Sequence, residues 1–412
     1  MSANKSITII TPNYYPEDTA IGYYTTDFAN NLVSRGFDVQ IITGFPYYPK
    51  WKIEASYQEH PSYYKETIDN ITIYRYKMFL PKKVNFIGRI IMMLSLLKGT
   101  YKNIQNIQKT DLVFCVVPFT LFIFPAFLLA KKTKAPLWIH VQDFEFDLAF
   151  ETGVSQNFIS NFMKSFVLKL EKYLLNKGAI ISSISYNMLK KIQDKTNKKN
   201  AFYFPNWVSS EKINPLTAKN HRFFNENAFS VLYSGNIGQK QDWVVFVSLC
   251  EKIKVDDGIE IIVVGDGAFS NELKAKTKAF SFVKFYDPVP FCELNDLLCS
   301  ADLHLLFQKT KIVDTVMPSK ILGMLASGKP SIVTGNKDSE VKTIFDNANC
   351  GCFLNQNNSV EIYEMLLLLK NNIELGKNWG NLGRNYILEH FSEFTVLENT
   401  IDKINRVLSN SK

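Results

Sequence analysis

Two glycines three residues apart, Gly235 and Gly238, close the apolar run FSVLYSG and lead through Asn236 to Lys240 and a helical pattern. Backbone bare of side chains can approach a ligand closely, and the free N–H groups of a helix start favour an anion. Lys240 stands where its ammonium could neutralise a phosphate. A G-x-x-G turn by itself is explained equally well as an ordinary turn. VVGDGAF gives a second strand-to-turn signal, Gly265 and Gly267 around Asp266, whose simplest reading is structural.

The run MPSKILGMLASGKPSIVTG is less ordinary. Pro318, Ser319 and Lys320 open a helix, where a serine hydroxyl suits the cap and a cation opposes the dipole. A lysine placed against that preference suggests an anion bound beside it; a solvated lysine is the alternative. Glu340 begins a later helix, where the dipole favours a carboxylate by a few tenths to about 1 kcal/mol. The same carboxylate could accept two hydroxyls of a ribose. In LWIHVQDFEFD, His140 and Asp143 end a buried-looking strand. A satisfied core histidine and a group facing a ligand both fit that position.

Strands must carry these residues, and the chain alternates accordingly. SITIIT reads as a strand, and TTDFANNLVSRG places Phe28, Ala29, Leu32 and Val33 on one helical face with Gly36 as its stop. Between them lies PNYYPEDTAIGYY, a loop rich in proline and aromatics with the single glycine Gly22. Strands FDVQIIT, LVFCVV, LWIHV and AIISSIS follow, with a helical region over roughly 155–177. FYFPNWVSSEKINPL breaks the rhythm, which restarts with FSVLYSG, IEIIVVGDG, FVKFYDPV, DLHLLFQ and KPSIVTG among helices. Short apolar strands interleaved with helices predict an α/β protein with parallel sheets covered on both faces. The expected division is 1–205, 206–385 and a C-terminal helical segment 386–412. Ligands of such sheets sit outside the carboxyl ends of strands, here expected in a cleft between the halves.

The 412 residues are 46% hydrophobic and 21% charged, which excludes wholesale disorder, and nothing resembles a nucleic-acid module. The +8 charge includes clusters such as KKTK (Lys131 to Lys134) and KTNKK (Lys195 to Lys199). They read as solvated helix ends, or as attraction to a phosphorylated ligand or membrane surface. Six scattered cysteines without C-x-x-C spacing argue against zinc and for a reducing compartment. The first apolar run is too short for a secretory signal. Leu112 to Ala130 approaches spanning length, but Pro118 and Pro125 divide it, and strand, turn and helix explain it without a bilayer. Lys82 to Lys102, KKVNFIGRIIMMLSLLKGTYK, suits either an interfacial helix or a core helix.

Taken in order, these segments resemble the retaining GT-B glycosyltransferases of family 4, of the colanic acid and capsular polysaccharide type. The resemblance covers nearly the whole chain. It is carried by YYPEDTAIGYYTTDFANNLVSRGFDVQIITGFPYYPKWKI, IHVQD, PNWV, YSGNIGQKQ, VVGDG, MPSKILGMLASGKP and Glu340. It implies two Rossmann-like domains, the first binding an acceptor and the second a nucleotide-sugar, with the last helix crossing back to the first. Carried over by motif, donor contacts fall to Gly22, Gly235, Asn236, Gly238, Lys240, Gly267, Pro318, Ser319, Lys320 and Glu340. His140, Lys240 and Lys320 become the catalytic set, and Tyr15, Pro16 and Asp143 the acceptor side. The broader family has two glutamates eight apart before its A-x-G-x-P segment, where this chain has Thr315 and Gly323, with Asp314 beside the first. That departure bears on donor-sugar recognition.

The expected activity is transfer of one sugar from a UDP- or GDP-linked donor to a polyprenyl-diphosphate-linked saccharide during surface polysaccharide assembly. No cofactor is expected. There is no D-x-D metal motif in the right place, since Glu145 and Asp147 follow His140 in an acceptor-side loop. The expected location is cytoplasmic, at the inner face of the cytoplasmic membrane, with peripheral contact. Rival readings are a nucleotide-sugar epimerase of the same fold and a non-catalytic sugar-nucleotide-binding partner. A two-lobed solute-binding protein shares the architecture but calls for an export signal.

Overall fold

The computed structural model describes residues 4–18, 20–81, 86–144, 161–197, 201–310, 319–355 and 358–410. Pro318, Thr315, Asp314, Glu145 and Asp147 lie outside the described residues, as does the start of the Lys82 to Lys102 segment. The chain divides into two compact units, Met1–Pro205 with Leu397–Lys412, and Asn206–Val396.

In the first unit the apolar runs become strands β1 (Ser6–Ile10), β2 (Asp38–Gly44), β3 (Tyr63–Ile68) and β4 (Ile71–Tyr76). They continue as β5 (Leu112–Val117), β6 (Leu137–Val141), β7 (Ile180–Ser183) and β8 (Phe202–Tyr203). The sheet order is β3-β4-β2-β1-β5-β6-β7-β8. Only β3 and β4 pair antiparallel, through a turn in which Asp69 and Asn70 both take positive φ, the mirror-image turn that matches strand twist. Every residue of β1, β5 and β6 is buried, so helices cover both faces, as expected for a parallel sheet. The first of them, Ala20–Ser34, buries Phe28, Ala29 and Leu32. Leu112 to Ala130 resolves into β5, a short turn of 3-10 helix and the helix Ile123–Thr133. Among the described residues no helix is long and apolar enough to cross a membrane.

The second unit holds β9 (Phe229–Ser234), β10 (Ile259–Val264), β11 (Val283–Tyr286), β12 (Leu303–Phe307), β13 (Ser331–Thr334) and β14 (Gly351–Leu354). Their order is β11-β10-β9-β12-β13-β14, and every pair is parallel. The fold is therefore the α/β, two-sheet architecture read from the sequence. FYFPNWVSSEKINPL is less slack than its prolines suggest, because Trp207, Val208 and Ile213 are buried. The helix Ile373–His390 stays with the second unit. Its Gly383 fits against Leu325 and Cys350, each 3.1 Å from where a Cβ would stand, and Arg384 donates to the Ile213 carbonyl at 3.0 Å. Those contacts place the return to the first unit at Leu397 rather than at 386.

Candidate functional site

Each sheet has one place where the strand order reverses: between β1 and β5 in the first unit, and between β9 and β12 in the second. Loops leaving the carboxyl ends of the strands at such a point frame a crevice that side chains alone cannot fill. Gly22 follows β1 and Gly235 follows β9 at these two places, and Lys320 lies beyond β12, whereas His140 lies in the neighbouring strand β6 and Glu340 follows the neighbouring strand β13.

In the second unit, β9 keeps register with β10 to its last residue, Ser234↔Val264, whereas with β12 it pairs only at Val231↔Leu303 and Leu232↔His304. The carboxyl ends of β9 and β12 thus part. The loop after β9 turns back there: Asp242 N donates to Phe307 O at 3.2 Å and Lys309 N to Lys240 O at 3.1 Å. The two glycine turns interlock. Gly235 has φ +120°, and the space a Gly265 Cβ would need is taken by the Gly235 carbonyl. A Cβ on Gly267 would stand 2.5 Å from Asn236 Oδ1, and Ile237 N donates to Asp266 O at 2.9 Å. Backbone lies directly on backbone, which only glycine allows. The VVGDG turn is thus the shelf on which the Gly235 turn rests.

Lys320, first residue of the helix Lys320–Ala326, reaches into this shelf. Its Nζ donates to Tyr233 Oη at 2.8 Å and the Asn236 carbonyl at 3.4 Å, and lies 4.6 Å from the Tyr233 ring centre. A Cβ on Gly235 would collide with the Lys320 side chain and stand 2.8 Å from its Nζ. Gly235 is therefore glycine partly to admit the lysine. Among the described residues Lys320 has no carboxylate in ion-pair contact, and burial pushes its ammonium down to about 7. Such a group gains most from an incoming anion, which restores the stability of its charged form.

Other expected contacts are placed less directly. Gly238 N donates to Gln241 Oε1 at 3.2 Å and Gly238 O accepts from Trp243 Nε1 at 2.9 Å. Its polar groups are already used, and Gln241 acts as an internal brace. Lys240 is half-buried beside them. Ser319 is exposed and makes no side-chain cap bond, contrary to the expected capping hydroxyl, because its own backbone is already helical (φ −55°, ψ −21°). Glu340 is 6% exposed and opens the helix Glu340–Ala348, which is capped by Ser339 Oγ accepting from Lys342 N at 3.2 Å. It follows β13, the strand beside β12, so Glu340 and Lys320 share the same sheet edge.

In the first unit His140 lies within β6 and is 4% exposed. Its Nδ1 is 2.9 Å from Ser182 Oγ and its Nε2 2.9 Å from Gln142 Nε2. An amide nitrogen only donates, so Nε2 accepts and the ring proton sits on Nδ1. Phe204 packs 4.8 Å from the ring, and burial pushes His140 down to about 3. The imidazole is a neutral, fully engaged core group. Bonding to a sugar through Nε2 requires replacing Gln142. Asp143 follows, half-buried, at the strand's carboxyl end.

The loop after β1 has a centre the sequence reading missed. Glu17 is 5% exposed, and its Oε2 accepts from Asn13 Nδ2 at 2.9 Å and Tyr14 N at 3.2 Å. Its Oε1 accepts from Tyr47 N at 2.8 Å and Tyr48 N at 2.7 Å. One carboxylate thus ties the loop after β1 to the loop after β2. Gly22 is bare because Glu17 fills its space, the Glu17 carbonyl lying 2.5 Å from where a Cβ would stand. Arg75, fully buried against Glu66, donates to the Tyr15 carbonyl at 2.5 Å. Thr26 Oγ1 accepts from Tyr15 N at 2.9 Å. With the backbone so held, the rings of Tyr15 and Tyr48 remain exposed. The available signal was an acid amid prolines and aromatics, where solvation alone gives no reason for a charge.

Residues 228–372, which run from β9 through most of the second unit, match the family described as glycosyl transferases group 1. WcaI of Escherichia coli (strain K12), named for glycosyl transfer in colanic acid biosynthesis, is 29% identical over 343 residues, covering 80% of this chain and 83% of its own length. Sucrose-phosphate synthase from Thermosynechococcus elongatus superposes with a TM-score of 0.74 at 10% identity, over 99% of this chain and 100% of that one. Anabaena Alr3699/HepE, solved in complex with UDP-glucose, gives 0.67 at 12% identity over 97% and 99%. The second unit thus resembles the glycosyl transferases group 1 family over residues 228–372, in a chain with the GT-B fold.

Proposed function

We propose that this chain is a retaining, family 4 glycosyltransferase. It takes a sugar from a UDP- or GDP-linked donor and adds it to a polyprenyl-diphosphate-linked saccharide in surface polysaccharide assembly. The observation that carries the reading is Lys320, half-buried with its ammonium held by Tyr233 Oη and the Asn236 carbonyl against a glycine turn, and with no carboxylate in ion-pair contact among the described residues, at the reversal point of an all-parallel sheet. A diphosphate is the kind of anion that such a cation and turn accommodate. The similarity to WcaI and to a UDP-glucose-binding neighbour points the same way.

In this reading the second unit holds the donor. Lys320, Lys240 and the Gly235 turn face the diphosphate, and Glu340 takes the ribose. Charge grows on the leaving diphosphate as its bond to the anomeric carbon breaks, and fixed cations that need no reorganisation lower that barrier. The acceptor oxygen bonds to the anomeric carbon on the face the diphosphate leaves. Its proton passes to the departing phosphate oxygen, so no protein nucleophile or metal is required. The first unit presents the acceptor side through Tyr15, Pro16, Tyr48 and Asp143. A lipid-linked acceptor also calls for peripheral contact with the inner face of the cytoplasmic membrane.

The test is a melting panel with UDP, GDP, ADP and their sugars. A ligand present at a hundred times its Kd stabilises by about 2.7 kcal/mol, a readable rise in Tm. One base should stand out. No rise with any of them overturns the donor assignment.

A further inference from the structure

We infer that the first unit docks on an anionic lipid bilayer through a face of three neighbouring helices, Phe86–Asn103, Ile123–Thr133 and Asn161–Leu175. This deepens the lipid-linked acceptor reading and rests on it for why a bilayer is at hand. The docking argument itself is physical. The helix Phe86–Asn103 packs beside Ile123–Thr133, which packs beside Asn161–Leu175. Met92, Met93 and Leu96 seat the first helix in the core, and its Gly99 lies against the Tyr76 ring. The opposite side is not polar. Ile87 (67% exposed), Ile90, Ile91 and Leu94 (57%) follow i, i+3, i+4, i+7 spacing and form one apolar ridge in solvent. Phe124 on the second helix and Phe166 and Tyr173 on the third are also exposed. An isolated exposed apolar residue is ordinary, but a continuous ridge with aromatic company marks an interaction surface.

Charge selects the occupant. Arg89 and Lys98 flank the ridge, Lys131 ends the second helix, and Lys169 and Lys172 stand on the third, all exposed. The one carboxylate in the three helices is Glu171, which is 1% exposed and paired with Lys195. A second copy of the same chain would set these cations against each other across a two-fold axis. An anionic headgroup layer meets them favourably while the ridge enters the acyl boundary. None of these three helices is long and apolar enough to cross a membrane, and the inferred contact is of their exposed face with the bilayer surface.

Sedimentation of the full chain with vesicles, without donor or acceptor, tests this independently of transfer. The chain should pellet with phosphatidylcholine vesicles containing phosphatidylglycerol, less so as salt rises, and poorly with phosphatidylcholine alone. Ile90→Ser with Leu94→Ser should lower the partition about tenfold or more. Arg89→Glu with Lys98→Glu should lower it by at least about fivefold per charge, on anionic vesicles only. Unchanged melting curves would show that the variants fold. Absence of pelleting with anionic vesicles at low salt overturns the inference, as does unchanged partition of the Ile90→Ser, Leu94→Ser variant. A dimer seen by light scattering that Ile90→Ser with Leu94→Ser dissolves would assign the ridge to a second copy instead. Donor melts are read separately, so failure here leaves the donor assignment standing, and the reverse holds too.

Discussion

At the scale of single residues, Lys320 carries the most chemistry. Its folded pKa of about 7 lies below the ordinary 10.5. Between those values the unfolded chain holds a proton that the folded chain has released, so this residue's contribution to stability rises with pH across that window. Below about 7 both states are protonated and the slope vanishes. A diphosphate reverses the preference by stabilising the ammonium. Donor binding should therefore take up a proton above neutrality, and affinity should fall towards about tenfold per pH unit beyond pH 7. Calorimetry in buffers of different ionisation enthalpy reads the proton directly. Lys320→Ala should remove both the uptake and the pH dependence and weaken donor binding; unchanged affinity would sink the diphosphate role. His140 shows the opposite limit. Position along a strand made a ligand-facing histidine plausible, but only the structure shows Ser182 and Gln142 on its two nitrogens.

At the scale of elements, the loops after β1 and β2 behave as one because Glu17 holds three of their backbone N–H groups and the Asn13 amide. Burial pushes its carboxyl above the usual range despite those bonds. The sign follows: the folded state keeps a proton the unfolded state has lost, so its contribution is greatest in acid and is lost as pH rises through the raised value. Glu17→Gln turns one acceptor oxygen into a donor facing other donors. It should cost about 1–3 kcal/mol for each N–H left unpaired. The gap to the parent chain should narrow as pH rises through the raised value, read from urea unfolding at several pH values. Strands and helices were legible because burial on both sides of a parallel sheet leaves unbroken apolar runs, as in β5. The shared-loop clamp was not, because Glu17 and Tyr47 lie far apart in sequence and only the fold joins them. The hairpin of β3 and β4 escaped for a different reason. Its outward positions alternate with tyrosines and charges, and the Asp69-Asn70 turn is a weaker mark than one with glycine.

At the scale of the whole molecule, the chain order does not follow the unit order. Residues from Leu397 onward belong to the first unit although the second intervenes. What fastens them is visible in the helix Glu393–Asn410: Leu397, Ile401, Ile404 and Leu408 are buried on one side, at i, i+4, i+7 and i+11. Arg35 pairs with Glu398, and Lys403 lies 6.0 Å from the Phe202 ring centre. Exposed ion pairs contribute little, so the apolar stripe carries the energy. Burying a side chain of this size stabilises by about 1.5–3 kcal/mol, and four of them rival the 5–15 kcal/mol margin of a whole domain. A chain ending after Val396 should therefore lose the melting transition of the first unit, or show it at much lower temperature. Donor-dependent stabilisation of the second unit should persist. Ile404→Ala is the milder probe. Ile404 is fully buried, and truncation at such a site costs about 2–5 kcal/mol. Calorimetry should show one transition shifting down and the donor-responsive one holding. If both moved together, the two units would unfold as one cooperative block and the C-terminal helix would be a staple for the whole chain.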